Sequence, residues 1–581
     1  METIDSENIH QVALKQDYAC SFKSQLLMLY FWDMNRVIIL LVLILLSWQS
    51  NAQCDTSRYI SPILNVIDVQ TDVEYGQAPQ WNFPYFNETL LMDVYQPLLD
   101  PIEKRPCMIW AHSGAFALGD KQADDMVALC DSFARRGFVT ATMGYRKGFN
   151  PLDAASSERA VYRGLQDGRA AYRFLVENHE VYGIDTTKIF VGGSSAGALI
   201  ALHLAFMEEE ERPESSFDQF LAPDLGCIDC SGNNFQHEVN PLGIIGLWGA
   251  IGDTTWVNSD VNTLLAHGTE DPIVPFESGP PFQFFTLPDV YGSSLIHERL
   301  QNQGFSSELI IAEGEGHEPH GTLNGNWIGP PNDFWEELFS SVEEFCFELI
   351  RPQELVISGS EFICEGQNHT FSVELGEGES VCWEIEGGDY QETSDEEIAV
   401  QITGQSAIIT AFIYNEVGAA SESSSIIVQA SPSPDAAWDV SLEQNVLEYS
   451  VLTLFDTSWY LNGLLISEEN IGSMLLKTEG EYTVSLEVVN ELGCVTSYSE
   501  EFTYAIDNLD EQANSLTEVK LSSGVLSIKS EMITKVNLYD VMGRLLYENE
   551  ATEHVVSEHS GVYILSFSNS EESRAIKIVF P

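Results

Sequence analysis

Between residues 53 and 350, short apolar segments alternate with longer segments of helical periodicity. Apolar runs that are only a few residues long and end at turns are typical of buried strands. Runs of this kind occupy residues 107–111, 138–143, 189–191, 244–248, 264–266 and 308–312. Segments with apolar residues on one helical face occupy 125–136, 167–178, 196–207 and 335–349. This alternation predicts an α/β fold, a doubly wound and mostly parallel sheet with helices on both faces.

The pattern changes near Arg351, where helical periodicity fades and strands of alternating polarity begin. Strands at turn-bounded spacing are typical of small all-β sandwiches. Ser431-Pro432-Ser433-Pro434 has the composition of a linker. A chain of 581 residues is also too long for a single core. We therefore predict an α/β domain over residues 53–350, β-modules over 351–430 and 435–506, and a last unit over 507–581.

An apolar run over residues 37–46 follows Arg36 and precedes Ser50-Asn51-Ala52. A basic residue, a short apolar core and small residues before the cut are the parts of a secretory signal peptide. We predict this signal over residues 34–52, with Met34 as the true start and cleavage after Ala52. An uncleaved anchor is the alternative, although the apolar core is short for a membrane span. Cleavage would leave a secreted or cell-surface protein without a stable membrane span.

The charge balance is strongly acidic, with 89 Asp and Glu against 26 Lys and Arg and a formal net charge of −63. Such a surface repels phosphate backbones, so we expect no binding to nucleic acid. The acidic surface is instead suited to salty surroundings, where mobile ions screen it.

Ten cysteines are spread along the chain, and export permits disulfides. Cys364 and Cys382 fall within one predicted β-module and are the pair we expect to be bonded. Cys227 and Cys230 have CxxC spacing, but no second such pair accompanies them. We therefore expect a loop staple or two free thiols there, and no metal ion or cofactor.

The first chemical motif is Gly193-Ser194-Ser195-Ala196-Gly197, a G-x-S-x-G between a predicted strand and a predicted helix. Between a strand and a helix, such a motif forms a tight turn that exposes the serine hydroxyl above the edge of the sheet. The helix N-terminus below it favours developing negative charge. Ser195 is therefore the candidate nucleophile.

A second motif, His112-Ser113-Gly114-Ala115-Phe116, also follows a predicted strand. Acyl transfer needs backbone amides that point at the developing oxyanion, and a glycine-containing turn lets the chain approach the reacting carbonyl. The candidate oxyanion-hole amides are those of Gly114, Ala115 and Ala196. His112 is expected to brace this loop rather than to transfer protons.

Two further loops follow the last predicted strands of the domain. The segment 267–275 (HGTEDPIVP) offers Asp271 to orient an imidazole, with Glu270 as the alternative carboxylate. The segment 314–320 (GEGHEPH) offers His317 as the base, with His320 as its rival. His297 falls in a predicted helix, away from the sheet edge. The order Ser195, Asp271, His317 is that of the α/β-hydrolase fold.

Residues 85–345 resemble the α/β-hydrolase carboxylesterases, especially the hormone-sensitive-lipase-like and feruloyl or acetyl esterase-like enzymes. Residues 91–97 (LMDVYQP) resemble their LDVYxP entry strand, residues 112–121 their HGGxFxxGD segment, and residues 144–146 (GYR) their NYR turn. Ser113 and Gly144 depart from that pattern, which has glycine and asparagine at these positions. The resemblance implies hydrolysis of carboxylic esters through an acyl-enzyme and without a metal.

Residues 208–240 lie where insertions in this fold often form lids. The segment contains the apolar residues Phe217, Phe220, Leu221 and Phe235, together with Cys227 and Cys230. We expect it to line the alcohol side of the pocket, and a solvated acidic loop is the alternative.

The C-terminal part carries two further resemblances. Residues 351–430 and 435–506 resemble PKD-type, immunoglobulin-like modules, in which Trp383 and Trp459 would be core residues. The chain end resembles a type IX secretion sorting domain through residues 536–544 (VNLYDVMGR), 561–565 (GVYIL) and 577–580 (KIVF). That resemblance implies contact with a secretion machinery and passage across an outer membrane.

Three functions are consistent with these features. The first is an extracellular carboxylesterase that acts on short acyl or aromatic esters, including esters on polysaccharide. The second is a lipase, polyester depolymerase or serine peptidase on the same fold. The third is an adhesion or binding protein with an inactive hydrolase domain, which a complete set of nucleophile, base and acid disfavours.

Overall fold

The computed structural model describes residues 54–220, 222–505, 517–522, 525–557, 561–568 and 573–580. The predicted signal peptide lies outside the described residues, as does the segment 507–516 at the start of the last unit. The chain divides into two compact units, Met1–Ser433 and Pro434–Pro581. Among the described residues, no helix is long and apolar enough to cross a membrane.

The first unit is built on an eight-stranded sheet in the order β1-β2-β4-β3-β5-β6-β7-β8. Its strands are β1 (Ile67–Pro79), β2 (Asn87–Pro97), β3 (Arg105–Ala111), β4 (Val139–Met143), β5 (Ile184–Ser194), β6 (Gly243–Leu247), β7 (Asn262–Gly268) and β8 (Ser307–Ala312). Strands β3 to β8 run parallel, and β1 and β2 pair antiparallel at one edge. The predicted mostly parallel sheet is confirmed.

Helices cover both faces of this sheet. They are α1 (Asp124–Ala134), α2 (Ala154–Glu177), α3 (Ala196–Phe206), α4 (Ser293–Gln303) and α5 (Asp333–Ile350). Helices α2, α3 and α4 pack in one apolar core, whereas α1 and α5 pack in the other. Strand β3 separates the two cores by alternation, with Cys107 and Ile109 in the first and Met108 and Trp110 in the second.

Helix α2 begins at Ala154, more than a turn before the predicted start at Asp167. Asp153 caps it, since its carboxylate accepts a hydrogen bond from Ala155 N at 3.2 Å. The first half carries Arg159 and Arg163, which a sequence pattern assigns to solvent. Both arginines are buried in the structure, so apolar periodicity underestimates the buried face of this helix.

Short elements occupy the connections above the sheet edge. They are the helix His179–Tyr182, the 3₁₀ turns Glu209–Glu211, Glu214–Ser216, Thr254–Trp256 and Pro281–Gln283, a small sheet of Ala250–Ile251, Ser278–Gly279 and Val290–Gly292, and the hairpin Thr322–Leu323 with Asn326–Trp327. Several of these connections supply the walls of the cavity described below.

The first β-module belongs to the same compact unit as the α/β domain. One sheet contains Phe362–Cys364, Ser380–Glu386, Ser406–Tyr414 and Ser424–Ser431, and the other contains Asn368–Ser372, Gly388–Glu392 and Glu397–Ile402. Trp383 lies in its core. The module contacts the α/β domain where Tyr59 Oη donates to Val417 O at 2.6 Å and Asn415 Nδ2 donates to Ile350 O at 2.6 Å.

The predicted Cys364–Cys382 disulfide is wrong. Cys382 is bonded to Cys54, which is 328 residues earlier in the chain. Cys364 is disulfide-bonded as well, but not to Cys382. Proximity in sequence favoured a bond within the module, whereas the fold brings the start of the α/β domain against the strand that carries Cys382. The bond therefore ties the module covalently to the α/β domain.

The second unit consists of β-sheets. Its first part has one sheet of Ala437–Glu443, Val446–Leu452 and Ile471–Leu475, and another of Asp456–Leu461, Leu464–Ser467, Gly480–Val489 and Val495–Tyr504, with Trp459 buried between them. Its second part is a five-stranded sheet of Thr517–Ser522, Val525–Asp540, Leu545–Ser557, Gly561–Ser568 and Ser573–Phe580.

Candidate active site

Ser195 lies in the turn between β5 and α3, at the carboxyl edge of the parallel strands. Its φ of 55° and ψ of −114° are a strained conformation for a residue with a side chain. Gly197 approaches strand β3 so closely that a Cβ there would overlap the carbonyl oxygen of Ala111. A Cβ at Gly193 would likewise overlap the carbonyl group of Gly197. The two glycines therefore permit the turn that presents the Ser195 hydroxyl.

The three residues predicted as nucleophile, base and acid are brought together in one hydrogen-bonded chain. His317, in the loop after β8, has Nε2 at 2.9 Å from Ser195 Oγ. Its other nitrogen, Nδ1, lies 2.6 Å from Oδ2 of Asp271, in the loop after β7. This geometry would let the imidazole accept the serine proton while the carboxylate fixes the ring tautomer.

The side chain of Asp271 has no exposed surface, and both of its carboxylate oxygens accept hydrogen bonds. Its Oδ1 accepts from the amides of Ile273 at 2.7 Å and Val274 at 3.0 Å. Its Oδ2 lies 3.3 Å from His267 Nε2, a contact that the sequence did not indicate. Burial acts to raise the pKa of Asp271, but hydrogen bonds and charge from His267 and His317 outweigh it and hold that pKa well below its ordinary value. The carboxylate is therefore ionised at neutral pH.

The alternative residues lie elsewhere. Glu270 is exposed, and His297 is on α4 with Nδ1 at 2.8 Å from Ser307 Oγ. His320 is buried and stacks on Trp248, with ring centroids 4.4 Å apart. Its Nε2 lies 3.4 Å from a carboxylate oxygen of Asp125. His320 thus belongs to the packing behind the site and does not contact Ser195.

The turn after β3 has the open backbone expected of an oxyanion loop. Gly114 has a φ of 129°, and Ala115 and Phe116 have φ values of 57° and 54°. Ala115 and Ala196 line the cavity in front of Ser195, whereas Gly114 is not among the lining residues. Among the described residues, neither the Ala115 nor the Ala196 amide donates a hydrogen bond to a protein acceptor. Both amides are thus available to a ligand oxygen.

His112 braces this loop from behind. Its ring stacks on Tyr145 at 4.4 Å between centroids, and Tyr145 Oη donates to His112 O at 2.9 Å. Burial lowers the pKa of His112 to about 4, so the ring is neutral at neutral pH. A neutral, enclosed ring of this kind fits a structural role.

Ser113, one of the departures from the family pattern, makes a buried link to the base-bearing loop. Its Oγ donates to Oε1 of Glu318 at 2.7 Å, and that carboxylate also accepts from Gly325 N at 3.1 Å and Thr322 Oγ1 at 3.1 Å. Glu318 directly follows His317 in the chain. The link therefore couples the position of the candidate base to that of the candidate oxyanion amides, and nothing local in the sequence indicated it.

A cavity of about 280 Å³ opens in front of Ser195. Its walls are mainly apolar and include Phe116, Phe149, Val161, Tyr162, Leu199, Met207, Trp256, Phe282, Leu287 and Val290. Its charged lining residues are Glu158, Asp253 and Asp289, and the lining contains no Lys or Arg. Burial lowers the pKa of His203, another lining residue, to about 4, so this ring is also neutral. The cavity therefore suits an uncharged, largely apolar group.

The expectation for residues 208–240 is met only in part. Of this segment, Pro213 is the one described residue that lines the cavity. Cys227 and Cys230 form a disulfide, which is the loop staple considered above. The remaining segment is held against α2, where Arg169 binds Asp229 at 2.8 Å. The other cavity walls come from the turn after β3, from helices α2 and α3, and from the loops around residues 252–256 and 273–290.

The described residues contain no group of three or more His, Cys, Asp or Glu side chains arranged to hold a metal ion. Cys227 and Cys230 are bonded to each other, so neither offers a thiolate ligand. The arrangement around Ser195 could support nucleophilic acyl transfer, in which a general base moves the serine proton and backbone amides stabilise the oxyanion.

Comparison with protein families gives one match, to the family described as BD-FAE, over residues 92–230. The matched segment contains the turn after β3 and Ser195, whereas Asp271 and His317 lie beyond it.

Curated relatives include proteins named as esterases. Carboxylesterase 3B of Mus musculus is 32% identical over 124 residues, which is 21% of this chain and 21% of that protein. Esterase LipQ of Mycobacterium tuberculosis is 24% identical over 264 residues, 41% of this chain and 57% of that protein. The chain thus spans between about a fifth and just over half of the length of these relatives.

Among solved structures, esterase 2 of Thermogutta terrifontis, phosphorylated by paraoxon, matches with a TM-score of 0.34 and 19% identity. The match covers 48% of this chain and 94% of that structure. The segment that carries Ser195 and the glycine-containing turn thus matches the BD-FAE family, and part of the chain is similar in sequence to curated esterases.

Proposed function

We propose that this protein is a serine carboxylesterase that works through an acyl-enzyme. The observation that carries the proposal is the hydrogen-bonded chain from Ser195 Oγ to His317 to Asp271. Similarity of the surrounding segment to esterases supports it. The complete chain of donors and acceptors also disfavours an inactive binding protein on this fold.

In the first half of the reaction, Ser195 Oγ attacks the ester carbonyl while His317 Nε2 takes its proton. The carbonyl oxygen becomes an oxyanion, which the amides of Ala115 and Ala196 stabilise, with Gly114 opening the turn for close approach. One such donor contributes about 3–4 kcal/mol to the transition state. The carbonyl then re-forms, the bond to the alcohol breaks, and the leaving oxygen receives the proton from His317.

In the second half, water replaces the alcohol. His317 removes a proton from the water as it attacks the acyl group on Ser195, and the second oxyanion occupies the same amides. When this intermediate collapses, His317 returns the proton to Ser195 Oγ and the carboxylic acid leaves. Asp271 stays ionised throughout and stabilises the imidazolium that forms in each half.

The volume and the lining of the cavity favour short acyl or aromatic esters as substrates. Its volume of about 280 Å³ is at the small end of ligand pockets, which span about 300–1,000 Å³. Its charged lining residues are all carboxylates, and these would repel an anionic acyl group. Esters carried on plant or algal polysaccharide are a natural source of such groups for an extracellular enzyme. Lipase, polyester depolymerase and serine peptidase activity are the competing assignments.

The first prediction concerns substrate size and bond type. For the purified full chain, kcat/KM should be highest for 4-nitrophenyl acetate or butyrate and at least tenfold lower for the palmitate, because the long chain does not fit the cavity. A 4-nitroanilide of the same short acyl group should be hydrolysed far more slowly than the ester. Steady-state kinetics on this series provides the measurement, and a preference for palmitate or for the anilide would reassign the enzyme to the lipases or the peptidases.

The second prediction concerns the residues that act on the ester. Ser195→Ala and His317→Ala should each lower kcat by several orders of magnitude, and the double variant should lose little more because the two residues act as a unit. His320→Ala is the matched control, and its kcat should change tenfold or less. An active Ser195→Ala would end the hydrolase proposal. A nearly unchanged kcat in His317→Ala, together with a loss of activity in His320→Ala, would instead assign the role of base to His320.

We also propose that the protein is exported and that its C-terminal unit directs the last step. The proposal rests on the signal-like N-terminus and on the resemblance of residues 536–580 to sorting domains. The substrate would then meet the enzyme outside the cell, either in the medium or at the cell surface.

The third prediction tests this route. A chain that lacks residues 507–581, expressed in the native host, should be retained in the periplasm while its ester hydrolysis per molecule stays at the full-length value. Activity assays and immunoblots on medium, surface and periplasmic fractions make the comparison, and the full-length chain with Ser195→Ala gives the background hydrolysis of the host in each fraction. Normal release of the truncated enzyme into the medium would contradict the proposed role.

A further inference from the structure

A second cavity, of about 60 Å³, lies beside helix α2 and is separate from the one at Ser195. Three arginines line it, namely Arg146, Arg159 and Arg163. The other lining residues are Pro79, Gln80, Trp81, Tyr85, Pro223, Asp224 and Leu225. Three guanidinium groups around so small a space are unexpected in a chain with a formal net charge of −63.

The charges of these arginines are compensated unequally. Arg146 has a buried ion pair with Asp167, at 2.8 Å between Nη2 and Oδ1. Arg159 and Arg163 are only 6% and 3% exposed, and neither has a carboxylate oxygen within 4 Å among the described residues. Asp224, the one acidic residue in the lining, forms an ion pair with Arg212.

The hydrogen bonds of the two unpaired arginines go to neutral carbonyl groups. Arg159 donates to the carbonyl oxygens of Ser215 at 2.7 Å, Phe217 and Pro223. Arg163 Nη2 donates to Gly148 O at 2.6 Å, and its buried Nε has no hydrogen-bond partner among the described residues. Carbonyl dipoles satisfy hydrogen bonds, but they do not neutralise a buried charge.

An uncompensated buried cation is costly because it has lost its hydration. Burial, followed by repulsion from Arg146 and Arg159, lowers the pKa of Arg163 to about 9. The side chain is still charged at neutral pH, so a counterion from solution would stabilise the folded state. The cavity is larger than the roughly 30 Å³ that one water molecule occupies in the liquid, so an ion of halide size fits it.

We propose that the cavity lined by Arg146, Arg159 and Arg163 binds a small inorganic anion of halide size, such as chloride. The donors would be the guanidinium groups that lack a carboxylate partner, with the free Nε–H of Arg163 as the group that only an added acceptor satisfies. A chloride-binding site would also suit an exported protein whose acidic surface fits saline surroundings.

The site is placed to influence the wall of the catalytic cavity. Helix α2 carries Arg159 and Arg163 on one side, and its residues Ser157, Glu158 and Val161 line the cavity at Ser195. Gly148, which accepts from Arg163, precedes another wall residue, Phe149. An anion that fixes the two arginines therefore also fixes this wall, with an effect on KM rather than on kcat.

The fourth prediction compares chloride with gluconate, an anion too large for the cavity, at constant ionic strength and pH. Chloride should raise the melting temperature of the full chain saturably by about 2–4 °C and lower KM for a short ester about twofold or more. Arg163→Gln should abolish both responses. The matched control is Arg169→Gln, on the same helix but ion-paired with Asp229, and it should keep both.

A second experiment uses the wild-type protein, so it does not depend on the folding of a variant. Crystals are grown without chloride and soaked in bromide. Anomalous scattering should place bromide within hydrogen-bond distance of Arg163 Nε. Identical melting curves in chloride and gluconate would overturn the proposal, as would no bromide between Arg159 and Arg163 or a full chloride response in Arg163→Gln. The melting and diffraction readouts do not depend on ester hydrolysis, so they can fail while the proposed function stands.

Discussion

The turn that carries Ser195 exists because strand β3 and helix α3 approach one another more closely than any side chain permits. Gly197 lies against the carbonyl of Ala111, and Gly193 lies against Gly197 itself. With these contacts made, Ser195 is held at a positive φ, at a cost of about 1–3 kcal/mol. The buried helix α3 and the parallel strands around it supply the packing that offsets this strain. Any larger residue at either glycine would move the hydroxyl away from His317.

Around that fixed point, the neighbouring loops are tied to one another by buried polar contacts. Asp271 is held by two backbone amides and by His267, so the imidazole of His317 has one orientation. Glu318 then joins the same loop to Ser113, next to the candidate oxyanion amides. The proposed nucleophile, base and oxyanion donors are therefore positioned by a connected set of contacts rather than separately. Such preorganisation is the main source of transition-state stabilisation in acyl transfer.

The sequence predicted those features that depend on local pattern. Strand and helix order, the serine turn and the succession of Ser195, Asp271 and His317 all follow from short motifs placed after strands. It failed where distant segments meet. The predicted helix began at Asp167, whereas α2 begins at Ala154, because its first half buries Arg159 and Arg163, which an apolar pattern does not mark as buried. Cys382 pairs with Cys54 because the fold joins two domains. The cavity walls come from helices α2 and α3 and from the loops after β6 and β7, and Pro213 is the one described residue of the segment 208–240 among them. Contacts between segments that are distant in sequence leave no signal in hydrophobic periodicity or in the spacing of motifs.

If His317 makes the Ser195 hydroxyl nucleophilic, a reagent that reacts with activated serines should label that hydroxyl and no other. The full chain is treated with a fluorophosphonate ester, and intact and peptide mass spectrometry then locate and count the adducts over time. We expect one adduct per chain, on Ser195, with none in Ser195→Ala and a labelling rate lower by several orders of magnitude in His317→Ala. Labelling of a folded chain at Ser194, or a labelling rate that is unchanged in His317→Ala, would contradict it.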